Sequence, residues 1–153
     1  MIVKIKIHLL SLALFWGYPQ ILDLDTGQIY TSPLQDEKIK QLKRSRLLPP
    51  YSEAKIYQDY LQIIHDRFGV PLEDWFYQYP KFEFDLNSIP ENVREFFHKA
   101  HVVCEEFWPN EYDPSFPDFG TYLSDCTLQF AKDWCEKEGY EWYDNWQKRE
   151  DQP

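Results

Sequence analysis

A chain of 153 residues with 43% apolar and 27% charged content has the make-up of an ordinary globular protein and reads as one domain, 1–153. Its formal charge of -10 is uneven: residues 1–100 carry 13 acidic and 12 basic groups, whereas residues 101–153 carry 13 and 4. Acidity repels phosphates, which makes nucleic acid an unlikely partner, and the 5 scattered glycines form no phosphate-cradling loop.

At the N-terminus, Val3, Ile5, Ile7 and Leu9 alternate with Lys4, Lys6 and His8, the pattern of a half-buried strand. The stretch superficially resembles a signal peptide, yet Phe15-Trp16-Gly17-Tyr18 stands where a small-x-small cleavage site would fall. Its internal charges make it a poor membrane span, so no transmembrane segment is expected. A membrane-surface segment over residues 1–18 is the alternative to a core strand.

"ILDLDTGQIY", residues 21–30, overlaps three chemical signatures. Aspartic proteases use two Asp-Thr-Gly loops to share a proton between carboxylates, and this chain has one. Phosphotransferases with Asp-x-Asp need further magnesium ligands, and calcium loops need more oxygen donors than Asp23 and Asp25 supply. A hairpin over 20–31 asks for less. Asp25-Thr26-Gly27 serves as a three-residue turn with Gly27 at positive φ, Leu24 opposite Gln28, and Leu22 and Leu24 on the side of Tyr30.

"SPLQDEKIKQLKRSR" predicts a helix with Ser32 as N-cap, Pro33 in the first turn and Gln35 completing a capping box. Its Lys38, Lys40, Lys43, Arg44 and Arg46 form a basic run, read as a solvated helix face; the alternatives are a phosphate grip and docking on the acidic third. A stronger helix spans 53–68, capped by Ser52, with Tyr57, Tyr60, Leu61, Ile64 and Phe68 as its stripe and Gly69 as its stop. "PLEDWFYQY" reads as a helical turn. "KFEFDL" alternates Phe82, Phe84 and Leu86 with charged residues as a short strand.

Ser88 and Glu91 form a capping box for the next helix, whose stripe is Val93, Phe96, Phe97, Ala100, Val103, Cys104 and Phe107. "PNEYDPSFPDFG", 109–120, is an aromatic, proline-rich loop expected to pack as a lid. A helix over about 121–138 turns Leu123, Thr127, Phe130, Ala131 and Trp134 inward and ends at Gly139. "YEWYDNWQKRE" is expected to be a final short helix with Trp142, Tyr143 and Trp146 on one face. The fold class is α+β, a small N-terminal antiparallel sheet or hairpin packed by four to five helices, with a mainly α fold as the alternative.

Two constellations remain as candidate chemistry. His98, His101 and Glu105 share a helical stripe and could hold zinc with an open water position. The adjacent Arg94 opposes a metal, and His101 to Glu105 is an ordinary i,i+4 attraction, so a solvated face is the expectation. Cys104, Cys126 and Cys135 are too few and too irregular for a disulfide framework or a zinc knuckle; reduced thiols fit a cytoplasmic location.

The expected function is that of a small acidic, aromatic-rich protein that binds a protein partner with a basic surface, as an inhibitor, adaptor or immunity-type factor. Trp142, Tyr143 and Trp146 would be anchors within the acidic C-terminal third, with Glu141 and Asp144 steering encounter. An oligomer subunit and a metal-dependent hydrolase built on His98, His101 and Glu105 are the alternatives. Nothing in the sequence calls for a cofactor.

Overall fold

A computed structural model of the chain describes residues 4–15, 19–84 and 93–145. The fold is α+β and dominated by helix, with 52% of the described residues helical and short strands gathered in small sheets. The backbone gathers into two compact units, residues 1–49 with 127–153 and residues 50–126. The expected capping box of Ser88 and Glu91, the end of the expected strand at Asp85–Leu86, and Trp146 lie outside the described residues.

The first unit opens with β1 (Lys4–Lys6) and passes directly into α1 (Ile7–Leu14). The expected alternation to Leu9 therefore stops at Lys6. Ile7, Leu10, Ser11 and Leu14 are buried at three- and four-residue spacing, a helical stripe that a mostly apolar run satisfies as readily as a strand.

The hairpin forms as expected: β2 (Gln20–Asp23) pairs antiparallel with β3 (Ile29–Thr31). Its turn differs in detail. Asp23 N–H donates to Gln28 O at 2.8 Å and Gly27 N–H to Asp23 O at 2.8 Å, so four residues, Leu24–Gly27, form the loop. Gly27 takes the left-handed conformation at φ 80°, which a side chain would resist. Gln28 thus faces Asp23, and Tyr30 pairs with Ile21 rather than sharing the side of Leu22.

The long basic helix does not form. Only α2 (Asp36–Ile39) is helical, and none of its residues is buried, so no packed face sustains a longer helix. Nor does the Ser32/Gln35 box close: Gln35 Oε1 accepts from Thr31 N–H at 2.8 Å, and Ser32 Oγ donates to Asp36 Oδ1 at 2.7 Å. The end of the basic run instead becomes β4 (Ser45–Leu47), antiparallel to β2 with Leu22 opposite Arg46. The sheet order β3-β2-β4 leaves this charged strand at an edge, where charge discourages further pairing.

The same unit contains the C-terminal part of α6 (Phe119–Glu138) and β5 (Glu141–Tyr143), parallel to β1. Gly139, at φ 79°, ends α6: its N–H donates to Glu136 O and that of Tyr140 to Cys135 O, the paired bonds of a glycine C-cap. Thr127, Ala131, Trp134 and Cys135 are buried, whereas Leu123 and Phe130 are half-buried. The expected terminal helix is thus a strand over 141–143. Its aromatic residues suit a strand, and Lys4 opposite Glu141 places unlike charges across the pair.

The second unit is built on α3 (Ala54–Phe68) and α5 (Val93–Glu106), joined by the short α4 (Asp74–Tyr77). Ser52 Oγ accepts from Ala54 N–H, and Gly69 closes α3 in the left-handed conformation. Tyr57, Tyr60, Leu61 and Ile64 are buried against Val93, Phe96, Ala100 and Cys104. Phe96 is fully buried and meets the rings of Tyr79, Phe82 and Trp75 edge-on at 5.0–5.7 Å. The expected strand at 81–86 is irregular over 81–84. Phe82 is buried through packing, and its N–H donates to Gln58 Oε1 at 2.8 Å.

Candidate functional site

The aspartates of the hairpin are committed to its turn. Asp23, buried at 6% exposure, accepts from Asp25 N–H through Oδ1 and from the Thr26 hydroxyl through Oδ2, both at 2.9 Å. Asp25 Oδ1 accepts from Arg44 Nε at 2.9 Å, and Arg44 also donates to Leu24 O. The two carboxylates therefore serve different partners and do not face a common reactant.

His98 and His101 are both exposed on α5. His101 lies 3.1 Å from Glu105 and 3.4 Å from the Tyr57 hydroxyl. Among the described residues, no group of three or more His, Cys, Asp or Glu side chains is placed to hold a metal ion, so His98, His101 and Glu105 do not come together as ligands. Burial, followed by the charges of Glu53, Cys104 and Glu105, pushes the Tyr57 phenol up to about 12, so it stays a protonated donor. Cys104 and Cys135 are buried thiols pushed up to about 12, chiefly by desolvation, and neither is a nucleophile at neutral pH.

The expected anchors at 141–146 take a different arrangement from a helical face. Strand geometry turns neighbouring side chains to opposite sides. Trp142 pairs in register with the fully buried Ile5 and is half-buried, with Lys132 Nζ 5.0 Å from its ring centre. Glu141 and Tyr143 pair with the exposed Lys4 and Lys6 on the other side. Asp144 Oδ1 lies 2.9 Å from His8 Nε2, and Asn145 Oδ1 accepts from His8 N–H at 3.1 Å. The outward group is thus Glu141 with Tyr143, while Trp142 and Asp144 also have structural partners.

The expected 109–120 loop packs, although its last two residues already belong to α6, and it leaves Tyr112 in solvent together with Trp108 just before it. Phe116 is half-buried and Phe119 buried, and the Tyr60 hydroxyl donates to Pro117 O at 3.1 Å. Tyr112, 70% exposed, stacks on Phe107 with ring centres 5.7 Å apart and planes 11° apart. Trp108 is 52% exposed. Residue types alone showed that these rings were present, but which of them stayed open depended on the packing of the loop.

A cleft of about 320 Å³ in the second unit lies between α3 and α4, with Asp59, Gln62, Tyr77 and Lys81 at its walls. Asp59 is already paired with Lys55, and Gln62 with Asp66. Among the described residues, no helix is long and apolar enough to cross a membrane. No family model, curated protein or solved structure matches the chain.

Proposed function

We propose that the chain is a small acidic binding protein that grips a protein partner with a basic surface through its C-terminal third. One observation carries this reading. Glu105, Glu106, Glu111, Asp125, Asp133, Glu136 and Glu141 are all exposed, and Lys132 and Lys137 are the only Lys or Arg residues between positions 101 and 145. Such a charge imbalance speeds encounter with a basic partner and selects against acidic ones. Tyr143, beside Glu141, supplies an aromatic contact on the outward side of β5.

The test uses the immobilised full chain for affinity capture at low and at high salt. Its comparison is a variant carrying Glu136→Lys, Glu141→Lys and Tyr143→Ala, all of them at least partly accessible positions. A partner retained by the wild type, released by salt and lost on the variant supports the reading. Retention that ignores both salt and charge reversal contradicts it.

A second reading, as an assembly subunit, is favoured by Leu9 and Leu12, which stand 41% and 54% exposed one turn apart on α1. Light scattering separates the two: a monomeric mass at working concentration counts against assembly.

A further inference from the structure

The second unit holds an exposed aromatic surface on a fixed frame. Pro109 is buried, and its carbonyl accepts from Tyr112 N–H at 3.0 Å and from Asp113 N–H at 2.9 Å. Phe116 N–H donates to Asp113 O at 2.9 Å, and Tyr60 ties down Pro117. Beneath Tyr112, the ring of Phe107 meets Phe68 at 5.5 Å. Trp108 and Tyr112 are therefore presented by an ordered turn, so a ligand would bind with little further loss of loop entropy. Glu105, Glu106 and Glu111, all exposed, stand within a few residues of these rings along the chain.

The unit also shows which cation such a surface accommodates. Arg67 places its guanidinium 5.2 Å from the centre of Phe116 and 5.8 Å from that of Phe68, while pairing with Asp113. Ring faces attract cations, and a planar guanidinium can stack while its N–H groups reach a carboxylate. Trp108, Glu111 and Tyr112 offer the same residue types, two rings and a carboxylate, exposed around the single turn at 109–111.

We infer that the Trp108–Tyr112 surface is a docking platform for an arginine-bearing segment of a protein partner, with the rings stacking on the guanidinium and Glu111 pairing with it. This rests on the acidic-binding reading above and gives it a place and a side chain. The occupant is set by charge complementarity: exposed Glu111, with Glu105 and Glu106 a few positions earlier in the chain, disfavours an acidic peptide, and an apolar one would offer Glu111 nothing to pair with.

The test is calorimetric titration of the full chain with an arginine-glycine repeat peptide and with a lysine-glycine peptide of equal charge. The arginine peptide is expected to bind at least about three-fold tighter. Tyr112→Ala and Trp108→Ala should each weaken it about five-fold or more, as expected for a lost cation–ring contact. Tyr77→Ala, at a 65% exposed ring elsewhere in the unit, should leave it unchanged. An unaltered thermal midpoint shows that the variants fold.

Equal affinity for the two peptides, insensitive to Tyr112→Ala but weakened by Glu141→Lys, overturns the platform and leaves the broader reading standing. No binding of either peptide overturns both. A dimeric mass abolished by Tyr112→Ala would make the surface an interface between copies and would also overturn the platform.

Discussion

Replacing Asp23 separates a turn from an active site. Its carboxylate accepts two hydrogen bonds, from Asp25 N–H and from the Thr26 hydroxyl, at 6% residue exposure. Bonds to a charged acceptor contribute about 1.5–3 kcal/mol each when both partners are buried. Here Asp25 and Thr26 are exposed, so water re-pairs their donors once the carboxylate is gone. The loss for Asp23→Ala is therefore about 1–3 kcal/mol in total, a fall in Tm of about 3–10 °C for a chain of this size. Asp23→Asn keeps an acceptor for Asp25 N–H and should lose about half as much. Asp25→Asn, whose pair with Arg44 is about half exposed, should change stability by less than about 0.5 kcal/mol. Urea denaturation gives the free energies, and amide exchange at Gly27 reports the hairpin itself. Unchanged or raised stability in Asp23→Ala would refute the turn account, because removing a catalytic carboxylate commonly relieves strain.

Other expectations follow from the same geometry. Tyr60→Phe removes the hydroxyl that holds Pro117 O, so it should cost about 1 kcal/mol by urea denaturation and speed amide exchange at Phe116. The thiols of Cys104 and Cys135 lie near 12 when folded against an ordinary 9.0. The unfolded chain therefore releases these protons first, so stability should hold below pH 9 and fall as pH rises towards 12. Cys104→Ala together with Cys135→Ala should flatten that alkaline limb. Zinc should leave the thermal midpoint unchanged, because His101 is engaged by Glu105 and Tyr57 and the described residues offer no ligand cluster. A rise in Tm saturating at one zinc per chain would count against this.

The parts legible in the sequence are those whose pattern is local and long. The stripes of α3 and α5 repeat over several turns, and Gly27, Gly69 and Gly139 mark a turn and two helix ends through backbone freedom. Short elements were harder to read. Ile7 is buried in either a strand or a helix, so β1 and α1 could not be divided by period alone. β4 and β5 depend on partners some twenty and well over a hundred positions away, and three residues carry too little periodicity to reveal such pairings. The same holds for the candidate site. The acidity of the last third was plain from composition, but strand pairing turns Trp142 towards the side of Ile5, and His8 engages Asp144 across 136 positions. Tyr112 is legible only as a member of the aromatic loop 109–120, and Trp108, just before it, carries no signal of its own, since exposure follows from packing.

The central claim, recognition of a basic partner by the acidic third, is tested most directly by the salt dependence of affinity for the captured partner. Between about 0.05 and 0.5 M salt the Debye length shrinks from roughly 14 to 4 Å, so charge-steered binding should weaken by an order of magnitude or more. The variant carrying Glu136→Lys and Glu141→Lys should bind more weakly and show a shallower slope. An affinity that stays constant across that range, equal for wild type and variant, would contradict the account.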